Sequence, residues 1–85
     1  MRLDYSRLFK KDFKKLTQKL KIHVGVRIEI FKIDKFNPLL NNHAVHFPYE
    51  GCRSINITGD LRALYETSGD LIVFIRVGTH SELYK

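Results

Sequence analysis

A chain of 85 residues is enough for one domain, because splitting it into two cores would leave each half too small to fold unaided. It is 44% apolar and 28% charged, with six Phe, four Tyr and a single cysteine, Cys52. No apolar run nears the ~20 residues that span a bilayer, and Met1 to Tyr5 lacks a signal-peptide core. These features exclude a membrane protein, a disulfide-built secreted mini-protein and a cysteine zinc finger, and leave a single cytoplasmic domain over residues 1–85.

Charge is unevenly placed. Fifteen basic and nine acidic residues give a net +6. Residues 1–27 hold nine of the basic residues and only two acids, Asp4 and Asp12. A positive lobe of this kind attracts polyanions or an acidic partner; the bland alternative is a solvated helix face.

Leu3 to Tyr5 reads as a short strand. Phe9, Phe13, Leu16 and Leu20 then follow one helical stripe. The spacing predicts a single helix from about Ser6, a suitable N-cap, to Lys19. Lys10, Lys11, Lys14, Lys15 and Lys19 fill its other faces.

Residues 22–36 read two ways. Val24, Val26, Ile28 and Ile30 alternate with Gly25, Arg27 and Glu29, which is a strand pattern favoured by β-branched side chains. Ile22, Val26, Ile30 and Ile33 also fit a helical stripe. Pro38 disfavours helical geometry at Asn37 and sets a limit near there.

The second half reads as β. Residues 52–57 predict one strand, Thr58-Gly59-Asp60 a turn or bulge, and Leu61 to Tyr65 a second strand. Thr67 to Asp70 carries the residues of a hairpin turn. Leu71 to Val77 is the strongest strand signal; its continuous apolar run predicts a central strand covered on both faces. Arg76 interrupts that run and must emerge at an edge or find a partner. Gly78 then permits a sharp turn out of the strand.

Few residues carry chemistry by spacing alone. His43-x-x-His46 has room for two metal ligands, but no third Cys or His lies nearby, so no metal is expected. Ser81 beside His80 makes no triad. The five glycines include no phosphate-loop signature. Arg76 and His80 place a fixed cation and a titratable imidazole together at a strand end.

Three stretches resemble the RelE/ParE superfamily of toxins, most closely its YafQ-like branch of ribosome-dependent mRNA endonucleases. They are Leu8-Phe9-Lys10-Lys11-Asp12-Phe13-Lys14-Lys15-Leu16; His43-x-Val45 with Gly51-x-Arg53 and Ile57-x-Gly59-Asp60-Leu61-Arg62-Ala63-Leu64-Tyr65; and Arg76-x-Gly78-Thr79-His80-Ser81-Glu82-Leu83-Tyr84. The resemblance implies an α+β fold, two N-terminal helices packed on a small antiparallel sheet, and so a helix over residues 22–36. It places the family's catalytic groups on His43, Asp60, Arg76 and His80. Substrate contacts fall on Arg62, Asn56 and Tyr84. Three positions depart from the family pattern: Asn56 stands where a histidine is usual, Leu61 where a tryptophan is, and Phe47 where a glycine is.

The chemistry implied is RNA cleavage by the 2′-OH, which needs one base and one acid, with a guanidinium on the phosphate. It calls for no cofactor. Ribosome and mRNA are the implied partners, and Lys10, Lys11, Lys14, Lys15 and Lys19 would dock on ribosomal RNA. An acidic, partly disordered antitoxin is the other, and the resemblance also implies a larger complex that reaches operator DNA through the antitoxin. The alternatives are a ParE-like toxin that inhibits DNA gyrase without cleavage, and a decayed toxin that only binds antitoxin or RNA.

Overall fold

A computed structural model describes residues 1–84. The elements in chain order are β1 (Arg2–Tyr5), α1 (Arg7–Lys14), α2 (Gln18–Ile33), a 3-10 turn (Pro38–Leu40), β2 (His43–Ala44), β3 (Arg53–Asn56), β4 (Leu61–Ser68), β5 (Leu71–Thr79) and α3 (His80–Leu83). The five strands form one sheet in the order β1-β5-β4-β3-β2. The sheet is mixed: β1 runs parallel to β5 and the other pairs are antiparallel. The architecture is the expected α+β one, with a parallel edge strand and a third helix added.

The single helix expected over residues 6–19 is two. Ser6 does cap α1, its hydroxyl accepting from Phe9 N at 3.0 Å. The helix then stops at Lys14, and Thr17 caps α2 by accepting from Leu20 N at 3.3 Å. A threonine hydroxyl that binds backbone three residues on starts a new helix rather than continuing an old one. The stripe of Phe9, Phe13, Leu16 and Leu20 crosses the break and still packs on the core. The five lysines are therefore spread over α1, the turn and α2.

Residues 22–33 are helical, as the resemblance implied and strand propensity did not. The stripe read as its inner face, Ile22, Val26, Ile30 and Ile33, is largely the outer one: Ile22, Val26 and Ile33 are 57%, 53% and 88% exposed. The buried stripe is Val24, Ile28 and Phe31. Apolar residues on both sides of one helix reproduce the alternation of a strand.

The core lies between the helices and one face of the sheet. Phe31 meets Tyr65 and Phe74 edge-on, with ring centroids 5.0 and 5.3 Å away. Tyr5 and Phe9 pack beside Phe74. β5 is central, lying between β1 and β4. Only its inner face is fully covered, by Ile72, Phe74 and Val77; Val73 and Ile75 remain half-exposed, so burial on both faces is not realised. The hairpin turn narrows to Gly69-Asp70, where Gly69 takes a left-handed φ of 61°.

Phe31→Ala removes a fully buried ring and is expected to cost about 3–5 kcal/mol. Thr17→Ala removes only a cap and should cost about 1 kcal/mol. Urea unfolding of both variants checks the ranking.

Candidate functional site

Cross-strand register puts four of the predicted residues, His43, Asn56, Arg62 and Arg76, on the sheet face turned away from α2. His43 pairs with Ser54, Ser54 with Leu64, and Leu64 with Arg76. A second row joins Asn56, Arg62 and Gly78. Residues directly opposite each other project to the same side. His43 and Arg76 thus stand at opposite ends of one row, three strand spacings or ~14 Å apart along the sheet. Leu61 pairs with Thr79, which sets Asp60 and His80 beside each other at the same end of β4 and β5.

His43 is held by its own loop. Asn41 adopts a left-handed conformation, φ 45°, and its carbonyl lies 2.7 Å from His43 Nδ1. A carbonyl only accepts, so Nδ1 carries the proton of this bond and the neutral ring offers Nε2 as its acceptor. The loop is fixed in turn by Asn42, which donates to Lys35 O and Tyr65 Oη and accepts from Arg53 Nε at 2.8 Å.

His80 opens α3. Thr79 and Glu82 make a capping box: Glu82 N donates to Thr79 Oγ1 and Thr79 N to Glu82 Oε1. The Thr-x-x-Glu spacing of a capping box is legible in the sequence, although the sequence reading there is only of a strand end carrying Arg76 and His80. The His80 ring stacks on Tyr84, centroids 4.6 Å apart. Burial and the neighbouring Tyr49 push the Tyr84 hydroxyl up, and the Arg62 cation pulls it partly back.

Gly78 serves differently from the sequence reading. It carries no left-handed φ. A Cβ there would sit 3.3 Å from Glu82 Oε1 and from Leu83 Cδ2, so the missing side chain lets α3 fold back onto β5. Leu83 is buried in that contact.

Arg76 finds the partner that its position demands, and the partner is Asp12 on α1. Arg76 Nε donates to Asp12 Oδ2 at 2.7 Å and Nη2 to Oδ1 at 3.3 Å. Nη1 donates to Tyr49 Oη at 3.2 Å. Tyr49 Oη donates to Leu83 O at 2.8 Å, and its ring meets Tyr84 edge-on. The Asp12 hydrogen bonds and charge push the Arg76 pKa above its ordinary value, against the effect of burial. Asp12 and Tyr49 were not singled out from sequence: one reads as a lone acid in a lysine run, the other as a loop aromatic.

The remaining groups divide. Arg62 Nε and Asn56 Oδ1, from register partners, are buried without a protein hydrogen-bond partner among the described residues. Arg7, Lys10, Lys11, Lys14 and Lys21 border one concave basic patch around Phe13. Lys15 instead borders a cleft of about 210 Å³ with Asp12, Arg76 and Glu82. Lys19 is exposed on α2, outside both sets. Arg27 is diverted from the basic lobe altogether, donating to Leu39 O. His46 lies beyond β2 in a loop, and no group of three potential metal ligands occurs among the described residues. No helix among them is long and apolar enough to cross a membrane.

A family model described as the bacterial toxin of type II toxin–antitoxin systems, YafQ, matches residues 1–85. No curated protein matches the chain. Among solved structures it is similar to YafQ from E. coli BL21(DE3), at 22% identity over all of both chains with a TM-score of 0.76. The E. coli DinJ–YafQ complex is similar at 23% identity, also over all of both chains, with a TM-score of 0.75. The RelB–RelE antitoxin–toxin complex of Methanococcus jannaschii gives 23% identity over 95% of this chain and 94% of that one, with a TM-score of 0.75. Identities this low speak for the fold.

Gly78→Ala should crowd Leu83 and Glu82 and cost about 1–3 kcal/mol. Amide exchange should show α3 loosened before the sheet. Cys52 gives a pH test, because burial pushes its thiol up. The folded state then resists ionisation, so stability is retained below the unfolded thiol's pKa and falls as pH rises past it. Iodoacetamide at pH 8 should label Cys52 only as the chain opens, and labelling that ignores added urea would contradict the burial.

Proposed function

The chain belongs to the YafQ family of type II toxins, and from that premise we propose that it is an endoribonuclease cutting mRNA on the ribosome. The observation that carries this reading is Arg62 and Arg76 on one sheet face, with His80 and Asp60 just beyond the end of β5 and before the start of β4. Arg76 and Arg62 would take the non-bridging oxygens of the scissile phosphate. His43 stands at one end of the face and His80, with Asp60, at the other.

The reaction needs no metal. The 2′-oxygen bonds to phosphorus as its proton passes to a base. The bond to the 5′-oxygen breaks as an acid supplies that oxygen with a proton. The products are a 2′,3′-cyclic phosphate and a free 5′-OH. His80 and Asp60, at the same end of β5 and β4 as Arg76 and Arg62, suit the two proton transfers, and His43, with Nε2 unblocked ~14 Å from Arg76, suits a contact farther along the RNA. Tyr84, already stacked on His80, offers a ring for a base, and Asn56 lies opposite Arg62 on the neighbouring strand.

The basic patch around Phe13 suits ribosomal RNA, where lysine–phosphate contacts give affinity without sequence. An antitoxin partner follows from the complexes of similar fold, in which DinJ accompanies YafQ and RelB accompanies RelE. The exposed Ile22, Val26 and Ile33 beside the lysines fit a partner that brings apolar side chains and acidic charge. Through that antitoxin a larger complex would reach operator DNA. The place of action is the cytoplasm, where the ribosomes are.

The test is expression in a cell-free translation mix with mRNA ends mapped by primer extension. Wild type should give new ends inside coding regions, dependent on ribosomes. His80→Ala and Arg76→Ala should each lose about two to three orders of magnitude in cleavage. Arrest with intact mRNA would refute cleavage and direct attention to gyrase. Undiminished translation with intact mRNA would mark a chain that only binds.

A further inference from the structure

We infer that Asp12 is a positioning residue for the phosphate-binding Arg76, making α1 part of the active site. The inference rests on the endonuclease reading for its kinetic consequence, and on geometry for the contact itself. Asp12 grips the inner edge of the guanidinium with both carboxylate oxygens, at 2.7 and 3.3 Å. Tyr49 Oη takes a third N–H. A guanidinium has five N–H groups, so two remain for a phosphate. Arginine otherwise holds a large store of rotamer freedom, which this clamp removes before substrate arrives.

Asp12 is itself well fixed. Its Oδ2 also accepts from Val77 N at 3.2 Å, so the carboxylate is tied to the backbone of the strand that carries Arg76. Its side chain is only 15% exposed and that of Arg76 24%, so water competes weakly for the pair. Among residues 10–15 four lysines surround this single acid. A solvated aspartate there would merely dilute the charge of the patch; this one is turned inward, away from that role.

The opposite consequence of the same contact is sequestration, in which Asp12 competes with the phosphate for Arg76. The free N–H groups decide against it: the carboxylate occupies one edge and leaves donors over. Positioning predicts a loss when the charge is removed, and sequestration a gain.

The variant is Asp12→Asn, which keeps the shape and an acceptor for Val77 N–H. In single-turnover cleavage of ribosome-bound mRNA it should lose tenfold to a hundredfold in rate, with substrate half-saturation little changed. In the Arg76→Ala background the same substitution should cost nothing further, because its effect passes through Arg76. A structural role would persist in that background and lower stability in both. An equal loss with and without Arg76, or faster cleavage by Asp12→Asn, overturns the proposal. A readout free of catalysis separates its failure from that of the endonuclease reading: the Arg76 Nε–H resonance in 15N NMR. It should be exchange-protected in wild type and lost in Asp12→Asn even if no RNA is cut; a signal unchanged by the substitution overturns the contact.

Discussion

β1 ends at Tyr5, and the strand beside it does not. β5 pairs with β1 from Leu71 to Phe74 and then continues to Thr79 with that edge uncovered. Backbone groups on an edge need partners. Here the first residues after β1 supply them: Ser6 N donates to Phe74 O, Ser6 Oγ to Ile75 O, and Val77 N donates to Asp12. One serine thus caps α1 and finishes the sheet. The length of β1 fixes where α1 lies, and α1 in turn fixes Asp12 beside Arg76.

That constraint explains what the sequence disclosed and what it hid. The strands of the second half were legible because alternation and turn residues are local, and their observed bounds differ from the reading mainly in length. α2 was not, because its two apolar faces erase the periodicity that separates helix from strand. Val24, Ile28 and Phe31 serve the core, while Ile22, Val26 and Ile33 face outward. Only resemblance to a family resolved the choice. The break at Thr17 was written in the residue itself, a capping side chain inside a supposed helix, and the continuous apolar stripe concealed it.

The candidate site shows the same division. Of the residues that the family pattern points to, register puts His43, Arg62 and Arg76 on one face, while Asp60 and His80 lie just outside the paired strands. Asp12 and Tyr49 lie 64 and 27 residues from Arg76 in the chain, so no spacing rule joins them to it. The only signal was a demand: an arginine inside an apolar strand must reach an edge or find a partner, and the sequence did not say which partner. Gly78 is a related case. Its need for space comes from Leu83 and Glu82 folding back, a contact that local turn chemistry does not express.

The polar groups left over on this face are informative in the other direction. Ser54 Oγ, Asn56 Oδ1 and Arg62 Nε are buried without partners among the described residues. A buried polar group that finds no partner costs about 1–3 kcal/mol in general, a large share for a small domain. A core selected for stability alone would replace them with apolar side chains. On the opposite face Phe31, Tyr65 and Phe74 pack ring against ring, and the Tyr65 hydroxyl accepts from Asn42 Nδ2. The sheet thus has two unlike faces. Its helix-covered face is built from apolar rings, and the other carries the polar side chains of Ser54, Asn56, Arg62 and Arg76.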